Sequence, residues 1–257
     1  MQENRGLVIR NRLRKNGILT GEDNAESSPL QVLLQTISRG AVLLTTEPII
    51  TSTTIWTSFT FGLIFISTQS VPLVFTAVYG WSSTSGGLVQ ASIGIGQLLG
   101  FAACLVQNRL YCRSADHNTQ EPGIPLPESI LYLSIPGTAI ALAGGLLMYG
   151  WGFFLPHWIV PALGLGLTGF ATTTVLHAAT IYVTDEYASC AASAVAAVAF
   201  GENLFAAFLP LAAKPLYTRV SFQWASSLLA LIALLLTLAP AAVVYRRREA
   251  RQNAIFA

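Results

Sequence analysis

The sequence predicts an all-α integral membrane protein built as a bundle of six transmembrane helices. Three observations carry this prediction: sparse charge, six long apolar runs, and basic residues confined to one side. Of the 257 residues, 53% are hydrophobic and 10% are charged. A soluble domain carries about 25% charged residues. A chain of this length could bury a core in water, but so few charges would not cover its surface. Lipid removes that requirement.

The hydrocarbon core of a bilayer is about 30 Å thick and a helix rises about 1.5 Å per residue, so a span needs roughly 20 apolar residues. Six runs meet that length: 48–75, 87–106, 130–152, 158–183, 188–211 and 224–245. Pro48 opens the first, where proline is tolerated, and Trp224 opens the sixth, where an interfacial aromatic is favoured. Ahead of the spans, residues 1–29 form a polar, basic segment without the apolar core of a secretory signal, so the first span is expected to direct insertion. Residues 30–46 predict an amphipathic helix on the membrane surface. There Leu30, Leu33, Leu34, Ile37, Ala41 and Leu44 recur at helical spacing, while Gln31, Gln35 and Arg39 break the apolar run. Residues 246–257 form a basic tail.

The basic residues set the orientation. Arg5, Arg10, Arg12, Arg14, Lys15 and Arg39 precede the first span, Arg109 and Arg113 follow the second, and Arg246, Arg247, Arg248 and Arg251 follow the sixth. With six spans these groups share one side, and Lys214 and Arg219 lie opposite. The positive-inside rule then makes both termini cytoplasmic, in what we expect to be the plasma membrane. An odd number of spans would divide the two basic ends between faces.

The connection 107–129 is polar and proline-rich, with Pro122, Pro125 and Pro127. The other connections are short, so consecutive helices are expected to be neighbours. Helix contact in lipid depends on small residues at four-residue spacing. Ser92, Gly96 and Gly100 form such a stripe in span two, Gly137, Ala141 and Gly145 in span three, and Ser189, Ser193, Ala197 and Gly201 in span five. Helix breaks are expected at Pro72, at Pro136, at Pro161 with Gly164, Gly166 and Gly169, and at Pro210.

An ionisable group inside a membrane is costly and marks a cavity or a partner. Glu202 sits in the middle of span five beside Asn203. It can carry a proton, bind a cation, or serve as a hydrogen-bonded structural carboxyl. Gln69 in span one, Gln90 and Gln97 in span two, and His177 in span four can line a polar route. For His177 the plainer reading is a satisfied core histidine. Glu47, ahead of Pro48, suits a helix cap. Cys104, Cys112 and Cys190 have neither disulfide nor zinc spacing. Gly94-Ile95-Gly96 falls inside an apolar run, so it is not a nucleotide fingerprint. No nucleophile–base set stands out. The expectation is therefore no enzyme, no cofactor, no metal and no nucleic-acid partner. The expected partners are the lipid bilayer and a small-molecule substrate.

Arg39-Gly-Ala-Val-Leu-Leu-Thr-Thr-Glu47-Pro48-Ile49 resembles the entry to the seventh helix of fungal drug:proton antiporters of the major facilitator superfamily. Pro72, Phe75, Tyr79-Gly80 and Gly87-Leu88 resemble the stretch that follows. His157-Trp158-Ile159-Val160-Pro161 with Gly164 resembles the start of the tenth helix. Tyr182, Asp185 and Tyr187, then Ala191-Ala192-Ser193-Ala194, resemble the junction of helices ten and eleven. Trp224-Ala225-Ser226 with Leu228-Leu229 is similar to the start of the twelfth.

The resemblance implies the carboxyl-terminal half of a twelve-helix exporter in the multidrug and polyamine branch. Some members of that branch serve secondary-metabolite clusters. It also implies proton-coupled efflux, with substrate held between two six-helix halves. Residues 1–46 would be the central cytoplasmic loop, and a separate amino-terminal half or a second copy would complete the carrier. The sequence departs from the family where Gln69 replaces an acidic residue, Glu202 an arginine, and Val198 an asparagine. A truncated, non-transporting membrane protein or accessory subunit is the alternative.

Overall fold

The computed structural model describes residues 40, 42–117, 125–154 and 157–255. Residues 1–39, and with them the amino-terminal basic segment and most of the expected amphipathic helix, lie outside the described residues. Among the described residues six helices are long and apolar enough to cross a membrane: α1 Pro48–Tyr79, α2 Thr84–Arg113, α3 Pro127–Phe154, α4 Ile159–Glu186, α5 Ala191–Arg219 and α6 Phe222–Arg246. The α6 helix continues to Ile255. No strand occurs among the described residues. The chain is a multi-pass helical membrane protein.

Each helix contains its predicted run nearly whole, and most extend beyond it into more polar sequence. Val89 and Gln90 form a turn between a short helix, Ser83–Leu88, and the main body of α2, Ala91–Arg113. Glu47 occupies the position before α1 but makes no side-chain capping bond. Residues 42–46 are helical, and Leu43 is buried with Ile50, Trp56, Ala194, Ala197 and Val198. This short stretch therefore docks into the bundle.

The small-residue stripes become seams. A Cβ added at Gly96 of α2 would lie 1.9 Å from the Gly166 carbonyl oxygen of α4, and one at Gly169 would lie 2.3 Å from that of Ile93. Gly145 of α3 and Gly164 of α4 face each other just as tightly, with 2.7 and 2.6 Å to the opposing carbonyl oxygens. Only a missing side chain lets backbones approach this closely. The Gly164, Gly166 and Gly169 positions of α4 thus serve contact and leave its 28-residue helix unbroken, contrary to expectation. The helix also runs through Pro72 in α1 and through Pro210 and Pro215 in α5. Pro136 alone of the expected breaks coincides with a change of helix type. After it, Gly137–Leu142 form a π-helical turn within α3. Proline lacks an N–H and crowds the preceding turn, which accounts for the irregularity.

The order of packing corrects one expectation. Only one consecutive pair, α3 with α4, is among the main pairs: α1 packs most extensively on α5, α2 on α4, and α3 on α4 and α6. A short loop constrains only the ends that it joins, whereas the small-residue faces choose the partner along the full length. Two core clusters result. One gathers Leu43, Ile50, Ile130, Leu131, Val183, Tyr187 and Ala194, with Val243 and Val244 against it. The other gathers Phe75, Val89, Tyr149, Ala162, Tyr217 and Ala225. The start of α1, the start of α3 and the end of α6 therefore meet at one end of the bundle. Arg109, Arg113 and Arg246 are exposed near that end, on the last turns of α2 and α6. Trp81, Phe153 and Trp158 pack with Phe75 and Tyr79 at the other.

Candidate functional site

A serine or threonine in a membrane helix usually turns its hydroxyl onto a carbonyl one turn earlier, because lipid offers no other partner. The hydroxyl-rich start of α1 follows this habit at Ser52, bonded to the Ile49 oxygen at 3.0 Å, and at Thr60, bonded to the Trp56 oxygen at 2.8 Å. Thr57 donates to the Thr54 oxygen at 3.2 Å. Thr54 and Ser58 are buried as well, yet their hydroxyls have no hydrogen-bond partner. Leaving a buried hydroxyl unpaired costs about 1–3 kcal/mol.

Both unpaired hydroxyl residues face Gly201 of α5. A Cβ there would lie 2.4 Å from Thr54 Cγ2 and 2.8 Å from Ser58 Oγ. The next residue is Glu202, which is half-buried with the Thr57 hydroxyl near its carboxyl. The α1–α5 seam therefore sets the Glu202 carboxyl beside Thr57, with Thr54 and Ser58 against the adjacent Gly201. Glycine at 201 brings the two helices close enough for this, and spacings of three and four put Thr54, Thr57 and Ser58 on one face of α1.

The other predicted residues are dispersed. Asn203 is exposed, and its amide folds back to the Ala199 oxygen at 2.7 Å. Gln69 is exposed near the far end of α1, and the Gln90 amide reaches the adjacent Thr68 oxygen at 3.2 Å. Gln97 is half-buried on α2, seven residues beyond Gln90. His177 is half-buried on α4, with Nε2 buried and without a hydrogen-bond partner. Among the described residues no hydrogen bond links Glu202, Asn203, Gln69, Gln97 and His177 to one another. The site is thus Glu202 and its hydroxyls.

Three polar links escaped the sequence reading. Buried Gln107 of α2 donates to the Ile130 oxygen at 2.6 Å and to Ser134 Oγ at 2.7 Å, while Ser134 donates to the Thr174 oxygen at 3.0 Å. This chain of bonds ties α2, α3 and α4. Tyr149 of α3 donates to Ser70 Oγ of α1 at 3.3 Å. The Tyr111 hydroxyl donates to the Asp185 carboxylate, beside a cavity of about 320 Å³ that is also lined by Pro125, Pro127, Thr184, Ala188 and Ala191. For the hydroxyls of α1 the signal was present as the dense run Thr51-Ser52-Thr53-Thr54, then Thr57-Ser58 and Thr60.

Six apolar helices joined by glycine seams describe a polytopic membrane protein. The chain is 34% identical over 218 residues to the MFS-type transporter MFS19 of Alternaria alternata, covering 84% of this chain and 43% of that protein. It is 36% identical to the MFS transporter eqxG of Fusarium heterosporum, covering 83% of this chain and 43% of the relative. It is 32% identical to the efflux pump FUB11 of Gibberella fujikuroi, covering 88% and 40%. By sequence the chain is similar to part of these major facilitator-type transporters. It spans about two fifths of the length of these curated relatives. No family model matches it, and no solved structure does.

Proposed function

We propose that this chain forms the carboxyl-terminal wall of a carrier that exports a small organic solute, such as a drug, polyamine or secondary metabolite, in exchange for protons. Relatives named as transporters and as efflux pumps support that reading. The observation that carries it is the placement of a carboxyl, Glu202, inside the membrane-spanning part of α5 beside Thr57. A carrier needs such a group if proton movement is to drive solute movement.

Substrate would sit near the midplane between this six-helix wall and a second one. The exposed face of α5, with Phe200, Asn203, Leu204, Phe208 and Leu211, suits contact with such a wall or with lipid. The second wall is an amino-terminal six-helix half or another copy of this chain. We place the carrier in the plasma membrane with the arginine-rich end inside, because basic residues favour the cytoplasmic face.

An efflux assay tests this reading. Cells expressing the chain alone, and cells expressing it with the amino-terminal half of a relative, are loaded with fluorescent drug or labelled polyamine. Efflux that requires both halves and collapses with the proton gradient is expected. An absence of efflux in either case contradicts the transport reading and favours a non-transporting membrane protein.

A further inference from the structure

We infer that the cavity at the arginine end of the bundle, between α2, α4 and the start of α5, binds an ammonium group. The Asp185 carboxylate and the oxygens of Tyr111 and Thr184 hold it. The site is separate from Glu202, which lies about three turns beyond Ala191 along α5.

The direction of each hydrogen bond selects the ligand. The hydroxyl hydrogen of Tyr111 goes to Asp185, and that of Thr184 goes to the Thr180 carbonyl oxygen at 2.7 Å. A hydroxyl has one hydrogen, so both oxygens are left as acceptors. The carboxylate takes one bond from Tyr111 and has lone pairs for more. Of the remaining lining residues, Pro125 and Pro127 have no backbone N–H, and Ala188 and Ala191 contribute methyl side chains. The polar side chains of the cavity therefore all accept, and one of them is an acid. A group with positive charge and several N–H donors complements them, whereas an anion does not.

The walls hold this arrangement in place. Ser114, at the end of α2, donates to the Tyr111 carbonyl oxygen at 2.6 Å. It accepts from the Leu126 N–H at 2.8 Å and from the Ser129 hydroxyl at 3.1 Å. These bonds fix the entry to α3, with its two prolines, against the end of α2. The Tyr111–Asp185 bond fixes α4 there as well. Arg109 and Arg113 lie two residues to either side of Tyr111, about 200° around the helix, so they are exposed on the face turned away from the cavity. Thr184 and Ala188 are exposed, which opens the cavity outward. A volume of about 320 Å³ is at the small end for a ligand pocket and suits a small group. Two sources can supply it: a free alkylamine, or the headgroup amine of an aminophospholipid in the adjacent leaflet.

The test uses the full chain in lipid nanodiscs and requires no transport, so its outcome is independent of the efflux assay. In phosphatidylcholine nanodiscs, saturation-transfer NMR should detect bound propylammonium. Tetramethylammonium, an equal charge without N–H groups, should bind about tenfold more weakly, and Asp185→Asn should weaken propylammonium binding about tenfold or more. Asp185→Asn also disturbs the tie to Tyr111. Ala191→Leu is therefore the second variant: it fills the cavity, leaves the tie in place and should also abolish binding. Circular dichroism and size-exclusion profiles confirm that each variant folds. Native mass spectrometry from nanodiscs of mixed phosphatidylcholine and phosphatidylethanolamine separates the two sources. Retained phosphatidylethanolamine that is lost in both variants assigns the lipid headgroup, and propylammonium binding without such retention assigns the free amine. Binding that survives both variants, equal binding of tetramethylammonium, or preference for inorganic phosphate overturns the site. Failure of both propylammonium and phosphatidylethanolamine to bind overturns it too.

Discussion

Single residues decide how closely these helices approach. At Gly96 an added methyl group would meet the Gly166 carbonyl oxygen at 1.9 Å, whereas at Gly94, two residues away, nothing lies within 4 Å. Overpacking a tight contact costs about 1–3 kcal/mol. We therefore expect Gly96→Ala to lower the thermal unfolding midpoint in detergent, with Gly94→Ala leaving it nearly unchanged. Equal effects would show that α2 and α4 are not in contact there. The stripe containing Gly96 was legible in the sequence because small residues repeated at helical spacing. Its partner, the Gly166 and Gly169 face of α4, was misread as a helix break, since glycine serves both purposes and local pattern does not separate them. Glu202 was legible as a membrane carboxyl, but the hydroxyls facing it were not. They depend on which helix lies opposite.

At the scale of the element, apolar run length located all six helices, while their ends were underestimated. Gln107 lies just past the run that predicted span two, yet it is buried and bonded to two residues of α3. A polar residue that finds partners inside the protein looks the same in sequence as one in a loop. The irregular turn Gly137–Leu142 in α3 belongs to this scale too. Its cause is Pro136, so Pro136→Ala should regularise the helix and slow amide hydrogen exchange across 137–142, read by mass spectrometry. Unchanged exchange would assign the π turn to tertiary packing. The pairing of α1 with α5 is testable in the same way. A Cβ at Gly62 would lie 3.3 Å from that of Phe205, close to the roughly 3.8 Å found in disulfides. The double variant Gly62→Cys with Phe205→Cys should cross-link on mild oxidation, in a background with Cys104, Cys112 and Cys190 replaced. Absence of the cross-link would mean that another helix faces α1.

For the whole molecule, two ends can be told apart. The end holding Leu43, Ile130, Tyr187 and Val244 is the arginine side, and the end holding Trp81, Phe153 and Trp158 is the aromatic side. A half-carrier must enter and leave the membrane on the same face, because each six-helix wall of a twelve-helix transporter does so. That property, more than any single residue, joins the charge pattern, the fold and the proposed function. It is tested most directly by placing one small epitope at residue 257, one at residue 1 and one between Val220 and Phe222, in sealed right-side-out cells probed with impermeant antibody. The two terminal epitopes should become reactive only after permeabilisation, and the third should react in intact cells. Terminal epitopes on opposite faces would contradict the six-span half-carrier.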